Sequence, residues 1–357
     1  MIRFERSIEK AGFFSLLAGM EFAEQEIEVR RDPLTGATAI TSSELLTKAR
    51  MFFGKTDWDH TREHALRTRE GCVFCPERVM DATPRFPEHV VEGGRLRRGG
   101  VIVFPNLFPL AALHAVVTCP DVHVPRPGQF TADLLETWLA AAVDFIVRAE
   151  SAHPGLEHIE VCGNHMPPAG ASLAHPHFQV LGGSHAPWSV RSAWELSAAF
   201  RREHGVSYWR TLVAEEEARG ERFIAASSGC AWLTPFAPAG AREVVAVVPD
   251  AARVAALDGG QVRALAAGLA KVLAWYEREG LSAFNFALLG GRLGDADAAH
   301  PVVLRVVARS AFRPDYRTDD FFLQKQLGGE LFFETPEQIA ATLRGEFASD
   351  DPALGRV

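Results

Sequence analysis

Apolar positions along this chain recur with two periods, and the change from one to the other marks its elements. Over 26–40 they alternate, break at Asp32-Pro33-Leu34-Thr35-Gly36 and resume, the pattern of a hairpin closed by Pro and Gly turn chemistry. Apolar runs at 101–104 and 115–118 predict two strands around Pro105-Asn106-Leu107-Phe108-Pro109. Residues 131–152 carry the clearest helical signal. Thr131 can cap that helix, Asp133 sits in its first turn, and Leu134, Leu135, Trp138, Leu139, Ala142, Phe145 and Ile146 form one stripe. Pro154-Gly155 ends it. Strands over 158–162 and 174–181 follow. Two polar helices, 192–204 and 208–220, read as a connecting cap.

The second part of the chain then repeats the first. Residues 231–236 and 244–250 parallel 101–108 and 115–121. A helix over 259–279 follows, with Val262, Leu265, Leu269, Val272 and Leu273 on one face, and strands at 284–289 and 302–308 complete the parallel. Two copies point to an internal duplication rather than a solenoid. The expected organisation is a first half over 1–185, a helical connection over 186–220 and a second half over 221–357.

Composition narrows the class without naming a function. The chain has 357 residues, 47% of them hydrophobic, and a formal charge of −8. That is an ordinary globular balance, and its sign argues against nucleic acid as a partner, which requires clustered Lys and Arg. Cys72 and Cys75 are close while Cys119, Cys162 and Cys230 are scattered, so a secreted disulfide framework is not expected. The charged start Met1-Ile2-Arg3-Phe4-Glu5-Arg6 is unlike a signal peptide, and no apolar run reaches the roughly 18 residues of a membrane span. The expectation is a cytoplasmic protein without a membrane partner.

Two short motifs carry the chemistry. Cys72-Val73-Phe74-Cys75 lets two thiolates reach one tetrahedral ion from a single turn. Further on, Gly170-Ala171-Ser172-Leu173-Ala174-His175-Pro176-His177-Phe178-Gln179-Val180 places His175, His177 and Gln179 at i, i+2 and i+4. On a strand those three share one face. A third metal ligand is offered by His123, with His114 and Cys119 as rivals on geometry alone.

Asn164, then His175 eleven residues on, Pro176-His177-x-Gln179, and Ser172 three before the first His resemble the active-site segment of the galactose-1-phosphate uridylyltransferase family. That family is the transferase branch of the histidine-triad superfamily. Arg30-Arg31-x-Pro33-Leu34-Thr35-Gly36 is similar to its N-terminal segment, and Cys119-Pro120-Asp121-Val122-His123 to its Ser-Pro-Asp-His.

The resemblance implies an α+β fold of two histidine-triad-like halves, each an antiparallel sheet with a packed helix, and a homodimer. It implies one structural zinc ion on Cys72, Cys75, His123 and His175. It implies His177 as a nucleophile that takes up a nucleoside monophosphate, with Gln179 and Ser172 bonding the phosphate. Arg30, Arg31, Asn106 and Asn164 are then substrate contacts. The substrates implied are a nucleotide sugar and either a sugar 1-phosphate or phosphate, as in the ADP-glucose or dinucleoside-polyphosphate phosphorylases. A nucleotide-binding protein without turnover is the alternative of another class.

Two departures matter. The family's Asn-Asp is Asn106-Leu107 here, and its hexose-reading Tyr-Glu is Gln324-Lys325, so galactose does not carry over. The second half has Leu304-Arg305-Val306-Val307-Ala308-Arg309 in place of a His-x-His, which predicts no second metal, with Arg305 and Arg309 in structural pairs.

Overall fold

The computed structural model describes residues 2–45, 54–295 and 299–349. β1 (Glu5–Ser15) and β2 (Glu21–Arg31) form a long antiparallel hairpin, and β3 (Thr38–Ser42) pairs with β2 across the expected turn. The Asp32 carboxylate shapes that turn by accepting from the amides of Leu34 at 3.1 Å and Thr35 at 2.7 Å. Helix α1 (Trp58–Arg69) starts where the Asp57 side chain accepts from the amides of Asp59 and His60.

The first half then supplies β4 (Leu96–Arg98), β5 (Val101–Pro105), β6 (Leu113–Thr118), helix α2 (Ala132–Ala152), β7 (His158–His165) and β8 (Phe178–Gly183). Helices α3 (Trp188–His204) and α4 (Tyr208–Arg219) connect to the second half. There β9 (Phe223–Ser227), β10 (Cys230–Leu233), β11 (Val244–Val248), helix α5 (Gly259–Arg278), β12 (Phe284–Leu289) and β13 (Val302–Ala308) repeat the series. β14 (Glu330–Leu331) and helix α6 (Pro336–Ala348) close the described chain.

The halves build one sheet rather than two. Its order is β4-β5-β6-β8-β7-β12-β13-β11-β10-β9, with antiparallel neighbours throughout. Counted from either edge inward, the strands appear in the same succession. The seam is β7 against β12, where Asn164 pairs with Asn285 and Gly163 with Phe286. β1, β2 and β3 do not join this sheet; β14 pairs with β3, and Phe4 packs on Phe236 of the second half.

Strand periodicity decides what the site can contain. Successive side chains alternate between faces, and α2 and α5 cover one face. Leu113, Ala115 and Val117 of β6, Ile159 and Val161 of β7, Phe178 and Val180 of β8, and Phe284, Phe286 and Leu288 of β12 all enter that helical core. Their neighbours point the other way: His114, Cys162, Asn164, Gln179 and Asn285. A polar stripe therefore crosses the middle of the sheet on the face opposite α2 and α5.

One boundary differs from expectation. The strand expected over 174–181 begins at Phe178. Pro176 has no amide proton for a ladder, and its carbonyl is taken by the Thr118 hydroxyl at 2.8 Å. No helix among the described residues is long and apolar enough to cross a membrane.

Candidate active site and metal centre

The turn after α1 brings Cys72 and Cys75 together. Gly71 opens it at φ 71°, a conformation a side chain would strain. The ligand atoms of Cys72, Cys75, His123 and His175 lie within 4.8 Å of one another. Cys72 Sγ is 3.5 Å from His175 Nδ1, Cys75 Sγ is 3.5 Å from His123 Nδ1, and the two Nδ1 atoms are 3.2 Å apart. Tetrahedral bonds of about 2.3 Å to sulfur and about 2.0 Å to nitrogen would set S–N near ~3.5 Å and N–N near ~3.3 Å. The spacing suits one ion.

The outer contacts orient these ligands. His175 Nε2 donates to the Cys119 carbonyl and His123 Nε2 to the Ala65 carbonyl, each at 3.1 Å. A carbonyl only accepts, so Nδ1 carries the lone pair in both rings. Burial lowers both imidazoles, His175 to about 4, and keeps them neutral. Burial and the adjacent Cys72 push the Cys75 thiol up to about 11, so two thiolates here call for a cation between them. The rivals to His123 fall away on geometry. Cys119 contributes a carbonyl rather than its sulfur, and His114 belongs to the neighbouring group.

That group forms around His177. Its Nδ1 lies 3.0 Å from the His175 carbonyl and so carries the proton, leaving the lone pair on Nε2. Burial holds its pKa below the ordinary imidazole value. Phe74, between the two cysteines, packs edge-on against both His175 and His177, so the metal loop and the His177 ring share a wall.

Gln179 sits opposite Cys162 across β7 and β8, and its Oε1 is 2.8 Å from His114 Nε2. Asn164 Oδ1 accepts from Asn285 Nδ2 at 2.7 Å, and the same Asn285 amide donates to the Ala169 carbonyl at 2.9 Å. Both site amides thus have their oxygens engaged. Asn106 Oδ1 accepts from the Phe108 amide at 2.8 Å, and the Asn106 backbone amide donates to the His114 carbonyl at 2.8 Å. Ser172 is exposed and makes no hydrogen bond to a described residue.

His114 and Asn285 are absent from the sequence-predicted site. The sequence offers His114 only as a metal ligand, and Asn285 only as part of a strand. The signal for both was strand parity, which sets them on the face of Gln179 and Asn164.

The two arginines of the N-terminal motif lie in different settings. Arg30 is buried, and its guanidinium donates to Glu28 at 2.6 Å, to Glu337 at 2.8 and 3.0 Å, and to the Phe236 carbonyl at 3.2 Å. So committed, the Arg30 guanidinium is held within the protein by two carboxylates and a backbone carbonyl. Arg31, one residue along β2, faces outward, 3.4 Å from Glu5. Arg305 pairs with Glu243 at 2.6 Å and Arg309 with Asp319 at 2.9–3.0 Å, the structural pairing expected.

A cavity of about 650 Å³ lies beside the end of β13, walled in part by Arg309, Asp319, Gln324 and Glu330. Gln324 Nε2 donates to Glu330 at 2.6 Å, and Lys325 pairs with Asp320 at 3.0 Å. Burial raises Glu330 to about 7. Arg309 also donates to Asn285 Oδ1 at 2.6 Å, so hydrogen bonds run from the cavity wall to Asn164.

Comparison with known proteins agrees with this geometry at the level of fold. An ADP-glucose phosphorylase from Arabidopsis thaliana, solved with ADP-glucose bound, superposes with a TM-score of 0.68 at 19% identity, over 89% of this chain and 98% of that one. A GalT-like protein from the same plant gives 0.67 at 20% identity with the same coverage, and a uridylyltransferase gives 0.63 at 20%, again with that coverage. An uncharacterized protein of Archaeoglobus fulgidus is 28% identical over 345 residues, 96% of this chain and 98% of its own. No family model matches. This chain therefore shares the fold of these GalT-like, ADP-glucose phosphorylase and uridylyltransferase structures.

Proposed function

We propose that this protein is a nucleotidyltransferase that carries a nucleoside monophosphate on His177. The observation behind this is the committed tautomer of that ring. With Nδ1–H bound to the His175 carbonyl, Nε2 presents a lone pair on a neutral imidazole. Nε2 attacks the α-phosphorus of a nucleotide sugar, the P–O bond to the sugar phosphate breaks, and sugar 1-phosphate leaves. An oxygen of a second phosphate then attacks the same phosphorus, the P–N bond breaks, and the lone pair returns to Nε2.

Gln179, Asn164 and Ser172 would donate to the phosphate oxygens as charge builds on them. Asn106 stands at the nucleoside side, and Arg31 keeps a guanidinium that a phosphate could engage. One zinc ion on Cys72, Cys75, His123 and His175 would be structural, because four protein ligands leave no open position. Its contribution would be to hold His175, and so the next turn of chain, before substrate arrives.

Sugar 1-phosphate is the acceptor that the family resemblance implies. Inorganic phosphate is a second reading with its own support. Gln324 and Lys325, at the hexose-reading positions, are bonded to Glu330 and Asp320 instead of standing free. A homodimer is part of the proposal. Phe14, Leu16, Leu17 and Phe22 stand exposed around the end of the β1–β2 hairpin, and an apolar tip of that kind fits an interface.

The test is half-reaction exchange. Labelled glucose 1-phosphate should enter UDP-glucose or ADP-glucose with no other substrate present, and His177→Ala should abolish it. Exchange that survives in His177→Ala would remove the nucleophile.

A further inference from the structure

We infer that His114 fixes the orientation of Gln179 and so makes it a donor to the substrate phosphate. The inference rests on His177 being the nucleotidylated residue, and it adds a positioning residue to that reaction. It starts from a backbone hydrogen bond that commits the His114 ring. The Leu110 amide donates to His114 Nδ1 at 3.0 Å. Nδ1 is therefore without a proton, and in the neutral ring Nε2 carries it. His114 is buried, which favours that neutral form.

Two groups lie near Nε2. Gln179 Oε1 is at 2.8 Å and Asn106 Nδ2 at 3.1 Å. Asn106 Nδ2 is a donor, because Asn106 Oδ1 is held by the Phe108 amide. It cannot receive the Nε2 proton. Gln179 Oε1 can, and does.

The consequence falls on Gln179. Turning its amide over would set a second NH2 group beside that of Asn106 against Nε2–H and leave the proton no acceptor, which disfavours that state. The carbonyl stays on His114, and the NH2 is the end left for a ligand. A free amide could offer its oxygen to an anionic phosphate, which repels it; His114 removes that option before substrate binds. The order of events is thus local. The 106–110 loop sets the His114 tautomer, the tautomer sets the Gln179 amide, and the amide meets the phosphate. His114 itself touches no reacting atom.

Four proteins and one spectrum test this. His114→Phe keeps the ring and loses the donor; His114→Gln returns an N–H near the Nε2 position; Gln179→Leu removes the amide; the fourth is the His114→Phe, Gln179→Leu double variant. His114→Phe should lower kcat for nucleotide-sugar exchange about 10²–10³-fold, as Gln179→Leu should, with KM moving less than threefold. The double variant should be no slower than Gln179→Leu alone, and His114→Gln should recover at least tenfold over His114→Phe. A His114→Phe enzyme within threefold of wild type, or multiplicative losses in the double variant, would overturn the inference. Nitrogen-15 NMR of the wild-type protein reads the tautomer without any turnover. A proton on Nε2 is expected, and a proton on Nδ1 overturns the inference whether or not the protein transfers nucleotides. Failure of wild-type protein to exchange label with any donor would instead strike the functional reading itself.

Discussion

His175 and His177 stand two residues apart, and their ring nitrogens are committed in opposite senses, which suits each to its proposed role. His175 gives its Nε2 proton to the Cys119 carbonyl and turns Nδ1 to the cysteines. His177 gives its Nδ1 proton to the His175 carbonyl and keeps Nε2 free. One ring can thus serve as a ligand and the other as a nucleophile without competing for the same ion. The division predicts separable losses. Zinc should co-purify near one per chain, and Cys72→Ser should lose it and melt lower while the folded fraction keeps most of its exchange activity. A collapse of chemistry at unchanged melting temperature would mean the metal does more than hold the chain. At this scale the sequence was legible where a motif is short and local, as in Cys72-x2-Cys75 and His175-Pro176-His177. It offered His114 only as a rival metal ligand, since the hydrogen bond from a backbone amide four residues away exists only in the folded loop. The arginine motif could not show that Glu337 lies in reach of Arg30.

At the scale of elements, the site exists because strand parity separates a helical core from a polar stripe. The seam between β7 and β12 carries both halves of that division: Asn164 meets Asn285 on the open face, while Gly163 lies under the Phe286 ring on the covered one. A Cβ on Gly163 would sit 2.1 Å from a ring carbon of Phe286, so the ring or the seam must shift. Gly163→Ala should cost about 1–3 kcal/mol in urea unfolding and slow exchange through displacement of Asn164. An unchanged midpoint would show that the seam is looser than its packing indicates. The strands and the two long helices were readable because their apolar residues keep one period over their length. β1 was not, since nearly all its residues are exposed and give no alternation to read. The strand at 174–181 was read too long because Pro176 is compatible with an extended chain but not with its ladder.

At the scale of the whole molecule, the two half-patterns visible in sequence form a single ten-stranded sheet, with the site next to their seam. The repeat was legible because each half carries the same succession of strand, helix and strand. Their fusion was not, since edge pairing leaves no periodic mark. Outside the sheet, the half-buried Glu337 of α6 pairs with two buried arginines, Arg30 of β2 and Arg222 beside α4, joining three distant parts of the chain. Arg30→Met would leave Glu337 with Arg222 and Glu28 with Arg6, so it should destabilise the fold by about 1–3 kcal/mol. The folded fraction should still bind nucleotide sugar normally. A stable Arg30→Met protein with a large rise in KM would restore the arginine to the phosphate.

The central claim is a covalent nucleotidyl-His177, and intact-protein mass spectrometry reads it directly. Zinc-loaded enzyme is mixed separately with UDP-glucose, ADP-glucose and other nucleotide sugars. The account predicts a gain of one nucleoside monophosphate with at least one donor, absent in His177→Ala, which also names the base. A gain that persists in His177→Ala, or no gain with any donor, would contradict it.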